Sequence, residues 1–212
     1  DRAYVSGLKM SGQRLLILVD SSASMLDETI VNILRRRNMS EDRKRQSAKW
    51  QHTIKIVEWL SAKFSLDSQF QIYHFNTRTN ALVSNTKGQW LDVRDKTKLD
   101  SALKALNRLA PENGTNLEKA FIAANQLNPK PDNIYLITDG LPTQGTKSSS
   151  KITISGKDRA RLFNKAVDKL PARTPVNIIL TPIEGDPYAA IAFWQLSRAT
   201  QGSFMSPSKD WP

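Results

Sequence analysis

A doubly wound α/β fold is predicted by three features of this 212-residue sequence. Short apolar runs alternate with helical patterns, each run closes on polar turn residues, and the helical stretches repeat apolar side chains at three- and four-residue steps. Such alternation implies βαβ crossovers and an open, mostly parallel, three-layer sheet with helices on both faces. At roughly 150 residues per domain, the length suits one large domain. With 39% apolar and 24% charged residues, the chain can bury a core without a disulfide or zinc staple.

The elements follow in order. Arg14 to Val19 is an apolar run ending at Asp20, the pattern of a strand buried on both faces. Residues 25 to 47 read as a polar, basic insert with a short helix at Ile30 to Arg36. Trp50, Ile54, Val57, Leu60 and Phe64 mark a helix over Ser47 to Phe64, and Phe70 to Phe75 is a second strand. Ala81 to Ser84 is a weaker strand; so short a connection requires an antiparallel hairpin at the sheet edge. Leu99, Leu103, Leu106 and Leu109 mark one further helix, and Leu117, Phe121, Ala124 and Leu127 another. Asn133 to Thr138 and Val176 to Leu180 are strands, separated by a Ser/Lys-rich loop at Thr146 to Ser155 and a helix carrying Phe163, Val167 and Leu170. Ile191, Trp194 and Leu196 define the last helix, with Trp50 and Trp194 expected on core-facing sides. Ser203 to Met205 completes a six-stranded sheet with one antiparallel edge strand. The expected domain covers 14–206, with an extension at 1–13 and a tail at 207–212.

The net charge is +11. Between Arg35 and Lys49 seven basic residues (Arg35, Arg36, Arg37, Arg43, Lys44, Arg45 and Lys49) face only Glu41 and Asp42. Such a run suits an acidic protein, nucleic acid or an anionic membrane, and equally reads as a solvated face. No base-reading motif accompanies it. Absence of cysteine excludes thiolate metal sites, thiol nucleophiles and disulfides. The longest apolar run, Leu15 to Val19, is far below the ~20 residues that span a bilayer. The chain begins at Asp1 without a methionine or leader, so a mature fragment is expected, membrane-anchored through a segment preceding it. Its expected location is periplasmic or extracytoplasmic, with a cytoplasmic one as the alternative.

Enzymatic machinery is not evident. There is no Gly-x-Ser-x-Gly elbow, phosphate-cradling Gly-x-x-x-x-Gly-Lys loop, dinucleotide fingerprint or His-Glu-x-x-His helix. Of the two histidines, His52 and His74, the second lies within an apolar strand and reads as a satisfied core residue. Glu112 and Asp27 are acidic groups near the relevant loops in sequence, where a hydrolytic site would need a general base. Trp90 and Trp211 are the aromatics placed to be exposed.

The strand ends carry the chemistry, since ligands of such sheets bind beyond the carboxyl ends of the strands. The first strand runs into Asp20-Ser21-Ser22-Ala23-Ser24, a loop reads Glu112-Asn113-Gly114-Thr115-Asn116, and a strand closes on Thr138-Asp139-Gly140. Two carboxylates and three hydroxyls, with glycines allowing close backbone approach, suit a hard divalent cation. Each piece also has a plainer use. Asp20 and its serines can begin a helix, Thr115 and Glu118 form a capping box, and Asp139-Gly140 is a turn.

Together, Asp20-x-Ser22-x-Ser24, Gly114-Thr115-Asn116 and Thr138-Asp139-Gly140 resemble the metal-ion-dependent adhesion site of von Willebrand factor type A domains, the integrin I-like family. The strand and helix alternation from about Arg14 to Met205 resembles the family throughout. The resemblance implies that Asp20, Ser22, Ser24, Thr115 and Asp139 hold Mg²⁺, with Mn²⁺ or Ca²⁺ as alternatives. It further implies a non-enzymatic adhesion or assembly module within a larger bacterial-type assembly, in which a protein partner's Asp or Glu completes the metal shell. Arg35, Arg36, Arg37, Arg43, Lys44 and Arg45 are candidate partner contacts. A basic, nucleic-acid-associated module and a metal-dependent phosphoesterase are the alternatives. The sequence departs from many relatives in its insert, which separates the first loop from the following helix and could shape or shield the partner site. It also stops soon after its last strand, so the affinity switch of integrin-type domains, which uses a further C-terminal helix, is not carried over.

Overall fold

The structure is a computed structural model describing residues 4–5, 8–9, 12–145, 154–208 and 210–212. The elements are β1 (Tyr4–Val5), β2 (Leu8–Lys9), β3 (Arg14–Asp20), a 3-10 turn (Ala23–Leu26), α1 (Ile30–Arg36), α2 (Glu41–Arg45), α3 (Ala48–Ser61), β4 (Gln69–Phe75), β5 (Thr79–Ala81), β6 (Leu91–Asp92), α4 (Lys96–Arg108), α5 (Leu117–Gln126), β7 (Asn133–Thr138), α6 (Gly156–Val167), β8 (Val176–Leu180), α7 (Ala189–Ala199) and β9 (Phe204–Met205). The Ser/Lys-rich loop expected at Thr146 to Ser155 lies outside the described residues as far as 153.

The main sheet runs β5-β4-β3-β7-β8-β9, with β6 also paired to β4, and β1 and β2 form a separate antiparallel pair. It therefore has seven strands where six were expected. β3, β4, β7, β8 and β9 are parallel neighbours. β5 and β6 pair antiparallel with β4 along its free edge. The hairpin strand also differs in register from the expected Ala81 to Ser84. The Asn76 carboxamide oxygen accepts the Arg78 N–H at 3.0 Å, tightening the turn so that pairing starts with Phe75 opposite Thr79. β6 escaped the sequence reading because two residues carry no periodicity.

Alternation along β3 builds both layers of the core. Leu15, Ile17 and Val19 pack with Trp50, Ile54 and Val57 of α3 and Leu106 of α4. Leu16 and Leu18 face the other way, toward Phe121 of α5, Phe163 of α6 and Phe193 of α7. β3 is central and buried along its length except at Arg14. At about 1.5–3 kcal/mol for each fully buried large apolar side chain, it anchors the loop that follows. α7 corrects one expectation. Its buried stripe is Ala189, Phe193 and Leu196, leaving Trp194 48% exposed beneath the Arg198 guanidinium. Trp50 is fully buried, its Nε1 donating to the Leu109 carbonyl at 3.0 Å. Trp211 stacks edge-on against Trp59, and Trp90 donates to the Pro129 carbonyl. Among the described residues, no helix is long and apolar enough to cross a membrane.

Candidate metal centre

β3 and β7 are adjacent and parallel, so the turns that follow them lie side by side at the same end of the sheet. The β3 turn is pinned on both sides: Ser21 N–H donates to the Phe75 carbonyl at 2.8 Å, and Ala23 N–H to the Asn113 carbonyl at 2.9 Å. The second contact brings in the Gly114-Thr115 loop. A Cβ on Gly114 would lie 2.8 Å from Thr143 Oγ1, and one on Gly140 would lie 2.7 Å from Asp186 Oδ2. Both positions need glycine because neighbouring side chains pass against the backbone.

Four of the expected ligands form one connected cluster. Asp20 Oδ1 accepts the Ser22 N–H at 2.9 Å, and Asp20 Oδ2 accepts the Thr138 hydroxyl at 2.8 Å. The hydroxyls of Ser22 and Ser24 are 3.0 Å apart, and Ser24 Oγ donates to Asp139 Oδ1 at 3.0 Å. Thr115 belongs to the adjoining loop, its N–H bonded to Thr143 Oγ1 at 3.0 Å and its carbonyl accepting from Thr143 and Gln144. Its side chain does not join the cluster through any described hydrogen bond.

Two capping bonds that the plainer uses would require are not made. Ser22 precedes the 3-10 turn but its side chain makes no capping bond. The cap of α5 is Asn116, which accepts from Lys119 N–H, and not Thr115. The Asp139 carboxylate is turned inward to Ser24 and Lys49.

Asp20, Ser22, Asp139 and Thr115 are buried and Ser24 is half-buried. Burial, and then the neighbouring Asp139 carboxylate, pushes the Asp20 carboxyl up to about 7, against the lowering effect of hydrogen bonds from Ser22 and Thr138. Two enclosed carboxylates therefore share too little positive charge. Among the described residues, the cationic partner of this pair is Lys49, whose Nζ donates to Asp139 Oδ2 at 2.7 Å. The sequence counted Lys49 with the solvated basic run, yet its place was legible, because it stands four residues before Thr53 on the buried face of α3.

This donor set fits a hard divalent cation. With only two carboxylates, neutral hydroxyls beside them and no trio of His, Cys, Asp or Glu suited to a metal among the described residues, the set suits an ion that keeps water in its shell. Of the basic insert, Arg36 pairs with Asp27 at 2.9 Å and Arg45 with Glu41 and Asp42. Arg35 and Arg43 are exposed. Arg37 and Lys44 line a cavity of about 730 Å³ with Glu112, Asn113, Gly114 and Thr143, beside the candidate ligands. Glu112 is thus a wall residue of that cavity, while Asp27 is occupied with Thr29, Asn32 and Arg36. His74 Nδ1 lies 3.1 Å from Ser21 Oγ, as a satisfied strand residue would.

These features define a von Willebrand factor type A fold. The family model for the von Willebrand factor type A domain matches residues 15–141; the chain belongs to this family and is, in general terms, a protein-interaction module. A von Willebrand factor type A structure from Catenulispora acidiphila is 17% identical with TM-score 0.59, over 94% of this chain and 39% of that one. The PilB minor pilin from Streptococcus sanguinis is 12% identical with TM-score 0.59, over 98% of this chain and 60% of that one. An aerotolerance-related membrane protein from Bacteroides fragilis is 13% identical with TM-score 0.54, over 93% and 92%. None of the three is named as an enzyme, and the chain spans less than two thirds of the first two. No curated protein matches the sequence significantly.

Proposed function

We propose that this domain captures a protein partner through a divalent cation held by Asp20, Ser22, Ser24, Thr115 and Asp139. The observation that carries the reading is the pair of buried carboxylates, Asp20 and Asp139, joined through Ser22 and Ser24 at adjoining strand ends, with one ammonium on Asp139. When bound, the ion supplies a positive centre whose shell a partner's Asp or Glu completes; Mg²⁺ suits the donors, with Mn²⁺ or Ca²⁺ as alternatives. The side chains here orient that ion and exclude bulk water. The neighbouring cavity gives an acidic partner segment room, with Arg37 and Lys44 as its counter-charges. An extracytoplasmic setting matches the pilin and the membrane protein that share the fold.

The test is calorimetric titration of EDTA-treated protein with Mg²⁺, Mn²⁺ and Ca²⁺, beside Asp20→Asn and Asp139→Asn, which keep side-chain shape and remove one charge each. Saturable one-site binding by the parent, lost in both variants with circular dichroism unchanged, supports the reading. If none of the three ions binds, either alone or with an acidic peptide present to complete the shell, it is wrong.

A further inference from the structure

Lys49 is out of place by the ordinary rules for a helix. It is the second residue of α3, in the first turn, where the unsatisfied N–H groups and the helix dipole disfavour a cation. A lysine at a helix start normally extends its long stem and leaves the ammonium in water. This one turns inward, with 5% of its side chain exposed against 3% for its partner Asp139. Its three protons meet three acceptors: Asp139 Oδ2 at 2.7 Å, the Ser24 carbonyl at 3.1 Å and the Asp27 carbonyl at 3.2 Å. That exhausts the donors of an ammonium. Two of those acceptors belong to Asp139 and Ser24, residues already assigned to the metal.

The ammonium and a hard cation therefore seek the same Asp139 carboxylate and carry charge of the same sign, while the bond to the Ser24 carbonyl holds the backbone of the loop that bears the Ser24 hydroxyl. With Lys49 in place, Asp139 has its counter-charge and the turn after β3 has a tether to α3. Without Lys49, Asp139 would lose its counter-charge beside the neighbouring Asp20 carboxylate, a condition that raises the attraction for an added cation and lowers the stability of the empty fold.

We infer that Lys49 is an internal competitor for the divalent cation: it keeps the loops assembled in the metal-free protein and weakens metal binding by holding Asp139. This rests on the metal-site reading above. A metal-free domain of this kind is a folded, waiting state, and the ion is held firmly only when a partner's carboxylate adds its charge to the shell. The ion and the acidic partner then bind cooperatively, each improving the site for the other.

The experiment compares the parent, Lys49→Met and Lys49→Arg. Each is titrated with Mg²⁺ and Mn²⁺ by calorimetry, and its melting temperature is read in EDTA and in saturating Mg²⁺. Lys49→Met should bind either ion about 10- to 100-fold more tightly than the parent, as expected for removing a like charge beside the ion. Its melting temperature should drop in EDTA and recover with Mg²⁺, while the parent and Lys49→Arg gain less between the two conditions at the same Mg²⁺ concentration. A Lys49→Met protein that folds only when metal is present supports the inference equally.

A second measurement uses the parent alone. A protected Nζ proton signal, absent from Lys49→Arg, should be visible by ¹H–¹⁵N spectroscopy in EDTA and should shift or vanish as Mg²⁺ is added. Equal or weaker metal affinity in Lys49→Met, or a Lys49 signal untouched at saturating metal, overturns the inference while leaving the metal site standing. Binding by Lys49→Met alone upholds the competition and removes the metal from the parent's resting function. Failure of both proteins to bind either ion, alone or with the acidic peptide, overturns the competition together with the metal-site reading.

Discussion

The turns that close β3 and β7, the first of which runs directly into the insert at 25–47, and the insert itself are both rich in charge, yet they satisfy it by opposite means. In the turns, Asp20, Asp139 and Lys49 are buried and depend on one another. In the insert, Arg45 reaches back one helical turn to Glu41 and Asp42, whose side chains are 77% and 80% exposed, and Arg35, Arg37 and Arg43 face solvent. The insert concentrates six basic residues against four acidic ones, only +2 of the net +11, and water and local pairing already screen it. Charge density along a sequence thus says little about where charge does work; enclosure decides that.

The contrast is sharpest at Asp139. Asp139→Ala, in metal-free buffer, strands the Lys49 ammonium in a dry pocket and removes the acceptor of Ser24 Oγ. Stability measured by urea unfolding should fall by about 3–5 kcal/mol, the usual consequence of breaking a buried pair on one side. Asp139→Asn should lose less, because its carbonyl oxygen still accepts from Lys49. If the alanine variant unfolds with the parent's urea midpoint, Lys49 has an exit to solvent and the enclosed character of these turns is wrong.

The next effect is a pH dependence at His74, on β4 beside the same turns. Burial holds its imidazole below the ordinary 6.5. The unfolded chain therefore takes up this proton before the folded one, so the contribution of His74 is complete above pH 6.5 and is lost as pH falls through the folded value. Asp20 works in the reverse sense, since its raised carboxyl favours the folded state at lower pH, and the comparison must isolate the histidine. The stability difference between the parent and His74→Gln should shrink below pH 6.5, by at most about 1.4 kcal/mol per pH unit. A difference independent of pH would mean that the ring is solvated and protonates freely.

Much of this organisation was written in the sequence, and what was missed shares one cause. The strands β3, β4, β7 and β8 are short apolar runs with polar ends, a pattern that survives in one dimension because both faces are covered. The candidate ligands were visible as Asp and hydroxyl residues at those ends, since metal chemistry needs particular residue types there. Lys49 was misplaced because a lysine looks the same in a solvated run and in a pocket; only its phase with Thr53, Ile56 and Leu60 separates the two. Trp194 failed similarly, as α7 offers apolar residues on two faces, Ile191 with Trp194 and Phe193 with Leu196, and only the sheet chooses between them. The two-residue strand β6 and the five-residue helix α2 are too short for any period to register.

On the insert side the expected effects are smaller. Burial raises the carboxyl of Asp27, but hydrogen bonds from Thr29, Arg36, Asn32 and Glu28 together hold it below its ordinary 3.8. Its contribution is therefore present above that value and lost as pH falls through the folded one. Arg36→Ala should move the Asp27 carboxyl titration, followed by NMR, part of the way back toward 3.8. A titration unmoved by the variant would show that the backbone donors alone fix Asp27 and that Arg36 is free to meet a partner.

The smallest effect belongs to Arg45. Its guanidinium reaches Asp42 at 2.5 Å and Glu41 at 3.2 Å, and also donates to the Arg108 carbonyl at the end of α4. By distance alone these contacts rival Lys49 with Asp139. They differ in surroundings, for both acidic partners are open to water and the pairing is local to one short helix. Arg45→Ala should leave the urea midpoint and the affinity for Mg²⁺ unchanged within error, in low salt as well as high. A loss as large as that of Asp139→Ala would give the insert a structural role beside the metal loops. The insert would then be part of the same charged unit, with Arg45 coupling α2 and α4 to the turns it now only borders.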